Sequence, residues 1–370
     1  MSRYPHPPRG RRGRRAAMTG LAMLASAGMI LTGSGNQTPA MATVRSFPGG
    51  SASATRTLST STARHLSTPA QTRSGDGPQS GVSGGVLFGG TQQLVPEEST
   101  LGRKLRIIRL YYFIGGSFPG KPAFRQLMMG GRTVLASLDS PGHSYASIAA
   151  GNYDTQILSF LHAMNNDAIK YHLGSIYICF EHEPDSVHHR ILGSPPEFIQ
   201  AWDHVHELAQ SAHLDWNDGG RLHWVFILIH NTYASWRAAT FWPGASETDI
   251  VATDGYNSYA CGDGGQTQNQ TPDMLYNPVV SFAASHGGLP VFVAEWGSDN
   301  IQSGEQANFI SQMGPYVNNE PSIAAVSYWD INAGKCDYQV NGNPASVSQL
   351  TTLGQTPTMQ GHISGSGGTG

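Results

Sequence analysis

Residues 175–185 read SIYICFEHEPD, a β-branched and aromatic run that suits a buried strand and then turns at once into Glu181, His182, Glu183, Pro184 and Asp185. Three acids and a histidine at a strand's end call for a use, because a buried carboxylate is costly unless it is paired or employed. The carboxyl ends of strands in α/β folds are where ligands bind. A second stretch, 112 positions beyond Glu183, repeats the pattern: PVFVAEWG, an apolar strand that ends in Glu295 and continues into Trp296 and Gly297. Two opposed carboxylates suit glycoside hydrolysis. One is held protonated to donate to the leaving oxygen while the other stays ionised to attack the anomeric carbon, and a separation of about 5–5.5 Å gives retention.

Other residues fit around such a pair. Arg109 and Tyr256, each on a strand of its own, could hydrogen-bond the nucleophile and keep it charged, and Trp296 and Trp329 could stack on sugar faces. Arg109 equally suits a core salt bridge. Glu181 lies two residues from Glu183 and would share its side of a regular strand, so spacing does not choose between them. Asp185 reads as a turn cap and Asp330 as structural. A metal is not indicated: HExxH would need histidine at position 186, which is Ser186, and His204 and His206 point away from each other on a helix. Together with His188 and His189 they read as solvated histidines, and no cofactor is expected. No GxSxG elbow follows any strand, which argues against a serine hydrolase.

The elements that must position these groups alternate along the chain. Strands are predicted over 85–90, 105–113, 132–138, 175–180, 222–230, 249–256, 290–296 and 323–329, with helices over 121–129, 154–164, 195–214, 274–285 and 305–317. Eight apolar strands interleaved with helices predict an α/β fold, a (β/α)8 TIM barrel, in which strands four and seven face each other across one mouth. The competing doubly wound sheet lacks its GxGxxG turn, and no Walker loop occurs.

Ahead of the barrel, six arginines precede the apolar stretch 16–31, and Ala40-Met41-Ala42 offers a cleavage site, so residues 1–42 read as a signal peptide. Residues 43–84 hold 9 Ser, 7 Thr, 6 Gly and 3 Pro, the composition of a linker that could tether the domain to a cell wall. The catalytic domain is placed at 85–357 and a flexible tail at 358–370. From residue 85 onward there are 12 Lys and Arg against 24 Asp and Glu, a charge of about −12 that argues against nucleic acid as a partner. Three cysteines fit an exported protein without a disulfide framework. Cys179 reads as a core residue, and a bridge between Cys261 and Cys336 is left open. The expectation is a secreted, extracellular monomer with no membrane contact after cleavage.

Several segments together resemble glycoside hydrolase family 26, the β-mannanase family within the clan of retaining (β/α)8 glycosidases. They are IAAGNYD at 148–154, FEHEP at 180–184, DGYN at 254–257, AEWG at 294–297 and Tyr328-Trp329. The resemblance implies that Glu183 is the general acid/base, with His182 where most of the clan has asparagine. It likewise implies that Glu295 is the nucleophile, Tyr256 its hydrogen-bonding partner and Trp329 a platform under the sugar. Typical mannanases of the family follow the acid/base with Asn-Gly and a tryptophan-rich loop, whereas this chain continues Pro184-Asp185-Ser186-Val187-His188-His189. The activity implied is a retaining endo-β-glycanase on β-mannan or a related hemicellulose. Alternatives are a β-glucanase or xylanase of the same family, or a non-catalytic polysaccharide-binding barrel.

Overall fold

The computed structural model describes residues 74–77, 79–116 and 122–364. The leader, the linker through residue 73, the start of the helix expected at 121 and the last six residues of the tail lie outside the described residues. The strands are β1 Val82–Thr91, β2 Ile107–Phe113, β3 Thr133–Asp139, β4 Ile176–Phe180, β5 Leu222–Ile229, β6 Ile250–Asn257, β7 Val291–Ser298, β8 Ile323–Tyr328 and β9 Gln360–Ile363. The helices are α1 Glu98–Leu101, α2 Pro122–Met129, α3 Tyr145–Ala149, α4 Asp154–Lys170, α5 Pro195–Ser211, α6 His230–Ala234, α7 Pro272–Ser285, α8 Glu305–Asn319 and α9 Pro344–Gly354. Strands β1 to β8 pair in chain order, all parallel, and β1 pairs with both β8 and β2, so the sheet closes into a barrel.

Local chemistry explains the elements. The strands are apolar on both faces, as parallel strands covered by helices must be. One face packs inside the barrel through Leu87, Ile107, Leu135, Tyr177, Val225 and Phe292; the other packs under the helices through Ile108, Val134, Ile178 and Phe226. Helix α5 opens on a capping box, Ser194 with Glu197, followed by prolines in its first turn. Helix α4 sets Ile157, Phe160, Leu161 and Met164 against the strands. Gly89 allows the closure, since a Cβ there would fall 2.0 Å from the Ile107 carbonyl oxygen of β2.

Two boundaries differ from expectation. Strand β1 starts at Val82, inside the stretch read as linker, and β9 occupies 360–363, inside the stretch read as tail. The two pair antiparallel, Val82 with Ile363 and Ser83 with His362, at the amino-terminal end of the barrel. There the Tyr177 hydroxyl donates to the Ser80 carbonyl at 2.6 Å, and Gly75 N donates to Pro321 O at 2.9 Å. Glycine and serine dominate the local composition, but Val82 and Ile363 are buried and close the barrel's floor. At the opposite end a Cys261–Cys336 disulfide ties the loop after β6 to the loop after β8.

Candidate active site

The carboxyl ends of β2, β4, β6, β7 and β8 gather their functional side chains at one mouth, the end where barrel enzymes place their chemistry. Alternation along a strand decides which residues reach it. On β2, Arg109 and Tyr111 follow Ile107 on the inner face; on β6, Asp254 and Tyr256 follow Ile250 and Ala252.

Strand β7 breaks the rule. Phe292 and Ala294 face the barrel interior, so strict alternation would send Trp296 inward and Glu295 out. The pairing of β7 with β6 shifts instead, from Thr253 opposite Val293 to Asp254 opposite Glu295. This β-bulge re-aims Glu295 into the mouth, as bulges beside active sites do. Trp296 is thereby turned outward and is fully buried, edge-on to Tyr328 at 4.8 Å and beside Phe309 of α8. The sugar-stacking role expected for Trp296 is therefore corrected: it is a core residue.

Three donors converge on Glu295. Arg109 Nε donates to Oε1 at 3.1 Å, the Tyr111 hydroxyl donates to the same oxygen, and the Tyr256 hydroxyl donates to Oε2. One guanidinium and two phenols compensate the charge of this carboxylate. The Arg109 guanidinium also lies 4.3 Å over the Tyr111 ring. Arg109 is thus a buried ion-pair partner of Glu295 at this mouth. Tyr111 was not singled out in the sequence, although its position two beyond Arg109 on the same strand face is the signal that could have found it. Trp329 is half-buried, edge-on to Tyr111 at 5.6 Å and near Tyr256 at 6.4 Å, so its ring borders the same mouth.

The end of β4 is built differently. Glu181 and Glu183 both adopt left-handed backbone, at φ 55° and 51°, a conformation that costs a non-glycine residue about 1–2 kcal/mol. Neighbours hold it in place. Glu181 N donates to Leu138 O at 3.1 Å and Glu183 N to Ile227 O at 3.2 Å, and His189 Nδ1 donates to the Glu183 carbonyl at 2.7 Å. His182 Nδ1 pairs with Asp139 Oδ1 at 2.9 Å. Burial alone would lower the pKa of His182, but the Asp139 carboxylate raises it to about 10, so the imidazole is a cation.

The two candidate glutamates separate on this geometry. Glu181 is fully buried, with Oε2 taking both the backbone N–H and the hydroxyl of Ser140 and Oε1 3.6 Å from His189 Nε2. Glu183 is half-buried and its carboxyl is not claimed by any hydrogen bond among the described residues. Burial, then Glu295 and Asp185, raise its pKa to about 8 against the opposing pull of His182. Asp254, paired in register with Glu295, is buried with neither carboxyl oxygen hydrogen-bonded. Burial first, then Glu295 and Glu183, push its pKa well above the usual carboxylate range.

Asp330 accepts from Val340 N at 2.9 Å, a structural part as expected, whereas Asp185, expected to cap its own turn, accepts from Ile229 N at the end of β5. The histidines read as solvated are corrected in part. His206 is buried between Asp215 and Glu247, His204 is bound to Asp154, and His189 holds the Glu183 loop.

No protein-family model and no curated protein sequence matches the chain. Among solved structures it is similar to a family-26 β-mannanase from Bacteroides ovatus, at 13% identity over 74% of this chain and 90% of that one, with a TM-score of 0.57. It is also similar to a modular endo-β-1,4-mannanase from Cellulomonas fimi, at 12% identity over 74% and 71%, TM-score 0.53. A family-26 protein from a Muricauda species aligns at 13% identity over 74% and 86%, TM-score 0.53. At such identities the likeness establishes the (β/α)8 barrel fold.

Proposed function

We propose that the protein is a retaining endo-β-glycanase, secreted and monomeric, that hydrolyses β-mannan or a related hemicellulose by double displacement. The observation that carries this reading is the asymmetry of the two carboxyls at one mouth: Glu295 held by three donors, Glu183 unclaimed and protonated at neutral pH. Solved β-mannanases with the same barrel fold support the substrate class.

In the first step Glu183 gives its proton to the glycosidic oxygen as Glu295 attacks the anomeric carbon. The C–O bond to the leaving sugar breaks and an ester to Glu295 forms. Loss of that proton leaves Glu183 as the base that takes a proton from water, which attacks the anomeric carbon and frees Glu295. The His182 cation stabilises the anionic stage of Glu183, and Trp329 offers a ring face to the sugar.

The test is reducing-sugar release from a panel of mannan, mixed-linkage glucan and xylan by wild type and Glu295→Ala. Release from mannan by wild type alone is expected. Binding without release from any polymer would replace the enzyme with a polysaccharide-binding barrel. Release from glucan or xylan only would keep the chemistry and change the substrate.

A further inference from the structure

The loop that follows β8 sets one ring against a donor to Glu295. Tyr256, half-buried near the end of β6, gives its hydroxyl to Glu295 Oε2. A phenol serves a carboxylate only while its ring is held in place, because a hydrogen bond weakens steeply as it bends. Two aromatic side chains pack against that ring. Trp329 stands edge-on at 6.4 Å. Tyr338 lies closer, at 4.9 Å and tilted by 34°, within the range of a favourable aromatic pair.

Tyr338 is 4% exposed, and each of its polar atoms is tied. Its hydroxyl is hydrogen-bonded to Ser258 Oγ at 2.8 Å, two residues beyond Tyr256. Its N–H donates to Ile331 O at 3.1 Å, and its carbonyl accepts from the Tyr328 hydroxyl at 2.8 Å. The ring also rests on β7: a Cβ on Gly297, two residues beyond Glu295, would stand 3.4 Å from Tyr338 Cδ1. One residue thus joins the ends of β6, β7 and β8, and the first two of these carry the phenol and the carboxylate that must meet.

A covalent tie runs beside this pair. Cys336, two residues before Tyr338, is bridged to Cys261, three residues beyond Ser258, with their Cα atoms 5.3 Å apart. Both cysteines are buried and form with Tyr338 a small cluster against which Tyr256 and Trp329 pack. The backbone of the phenol is fixed as well, since Gln266 Nε2 donates to the Tyr256 carbonyl at 2.6 Å.

We propose that Tyr338 is a positioning residue that holds the Tyr256 phenol on Glu295. Its kinetic consequence rests on the glycanase reading above; its geometric consequence does not. The test is a double-mutant cycle of Tyr338→Leu with Tyr256→Phe, on an oligosaccharide of the polymer that wild type cleaves, together with crystal structures of the Tyr338 variants. Tyr338→Leu should lower kcat and kcat/KM alike by about tenfold, part of the worth of a hydrogen bond to a charged group. Added to Tyr256→Phe it should cost nothing more, because the phenol that it positions no longer carries a hydroxyl. Tyr338→Phe, which keeps the ring and loses only the bond to Ser258, serves if the leucine variant does not fold. It should cost about 2- to 10-fold in kcat, and again nothing on top of Tyr256→Phe. No loss in either variant, single losses that multiply in the double variant, or a rise in KM with kcat unchanged overturns the proposal. Should wild type cleave no polysaccharide, the glycanase reading fails and the crystal structures decide alone. A Tyr256 hydroxyl displaced from Glu295 in the Tyr338 variants upholds the positioning role, and one left in its wild-type place rejects it.

Discussion

The ends of β4 and β7 each bring a carboxyl to the same mouth, and they do so by opposite means. Strand β7 gains a residue through a bulge and delivers Glu295 into a nest of donors. Strand β4 bends through two left-handed residues and delivers Glu183 with its carboxyl unclaimed beside a histidine cation. On the proposed mechanism, the carboxylate that must carry charge is surrounded by donors, whereas the one that must pass a proton back and forth is left free of them. The fold spends backbone irregularity at both places, and at neither is the side-chain direction set by simple alternation.

The comparison can be broken most severely at the carboxyls themselves. Glu295→Ala should cost on the order of 10⁴-fold or more in kcat on polymer, as loss of a nucleophile does. Glu183→Ala should cost about 10²–10⁴-fold, and most of that loss should vanish with a dinitrophenyl glycoside, whose leaving group needs no proton. Equal losses on both substrates would deny Glu183 its role as acid. The donors come next. Tyr111→Phe and Tyr256→Phe should each lower kcat/KM by about 10- to 100-fold, the worth of a hydrogen bond to a charged group, and kinetics on a single oligosaccharide would reveal it.

A smaller effect belongs to the brace under Glu183. His189→Ala should lower kcat about tenfold with little change in KM, and His189→Asn, which keeps an N–H donor, should recover part of it. The pH profile sharpens this point. Glu183 must be protonated for the first step, so activity should fall as pH rises through about 8. With His189 gone and the carboxyl better hydrated, the alkaline limb should move to lower pH. A profile that keeps its limb while kcat drops would assign His189 a structural part only.

Much of this was legible in the sequence, and the reasons differ by residue. Eight apolar strands at regular spacing announced the barrel, because both faces of each are covered and periodicity records it. Arg109 and Tyr256 were legible as polar residues inside apolar strands. Trp296 was misread because the bulge at Ala294 depends on register against β6, which no local pattern encodes. The choice of Glu183 over Glu181 depends on Ser140, forty-one positions from Glu181, which claims one glutamate and leaves the other. Residues 80–84 and 360–363 were hidden because glycine and serine mask a pairing made between opposite ends of the domain.

The division of labour between the two carboxyls is tested most directly by azide rescue of both alanine variants with an aryl β-glycoside, the product read by proton NMR. Azide should enter from the vacated face in Glu295→Ala and give the α-glycosyl azide. In Glu183→Ala it should intercept the ester on Glu295 and give the β-glycosyl azide. The reverse pair of anomers would exchange the two roles and contradict the account.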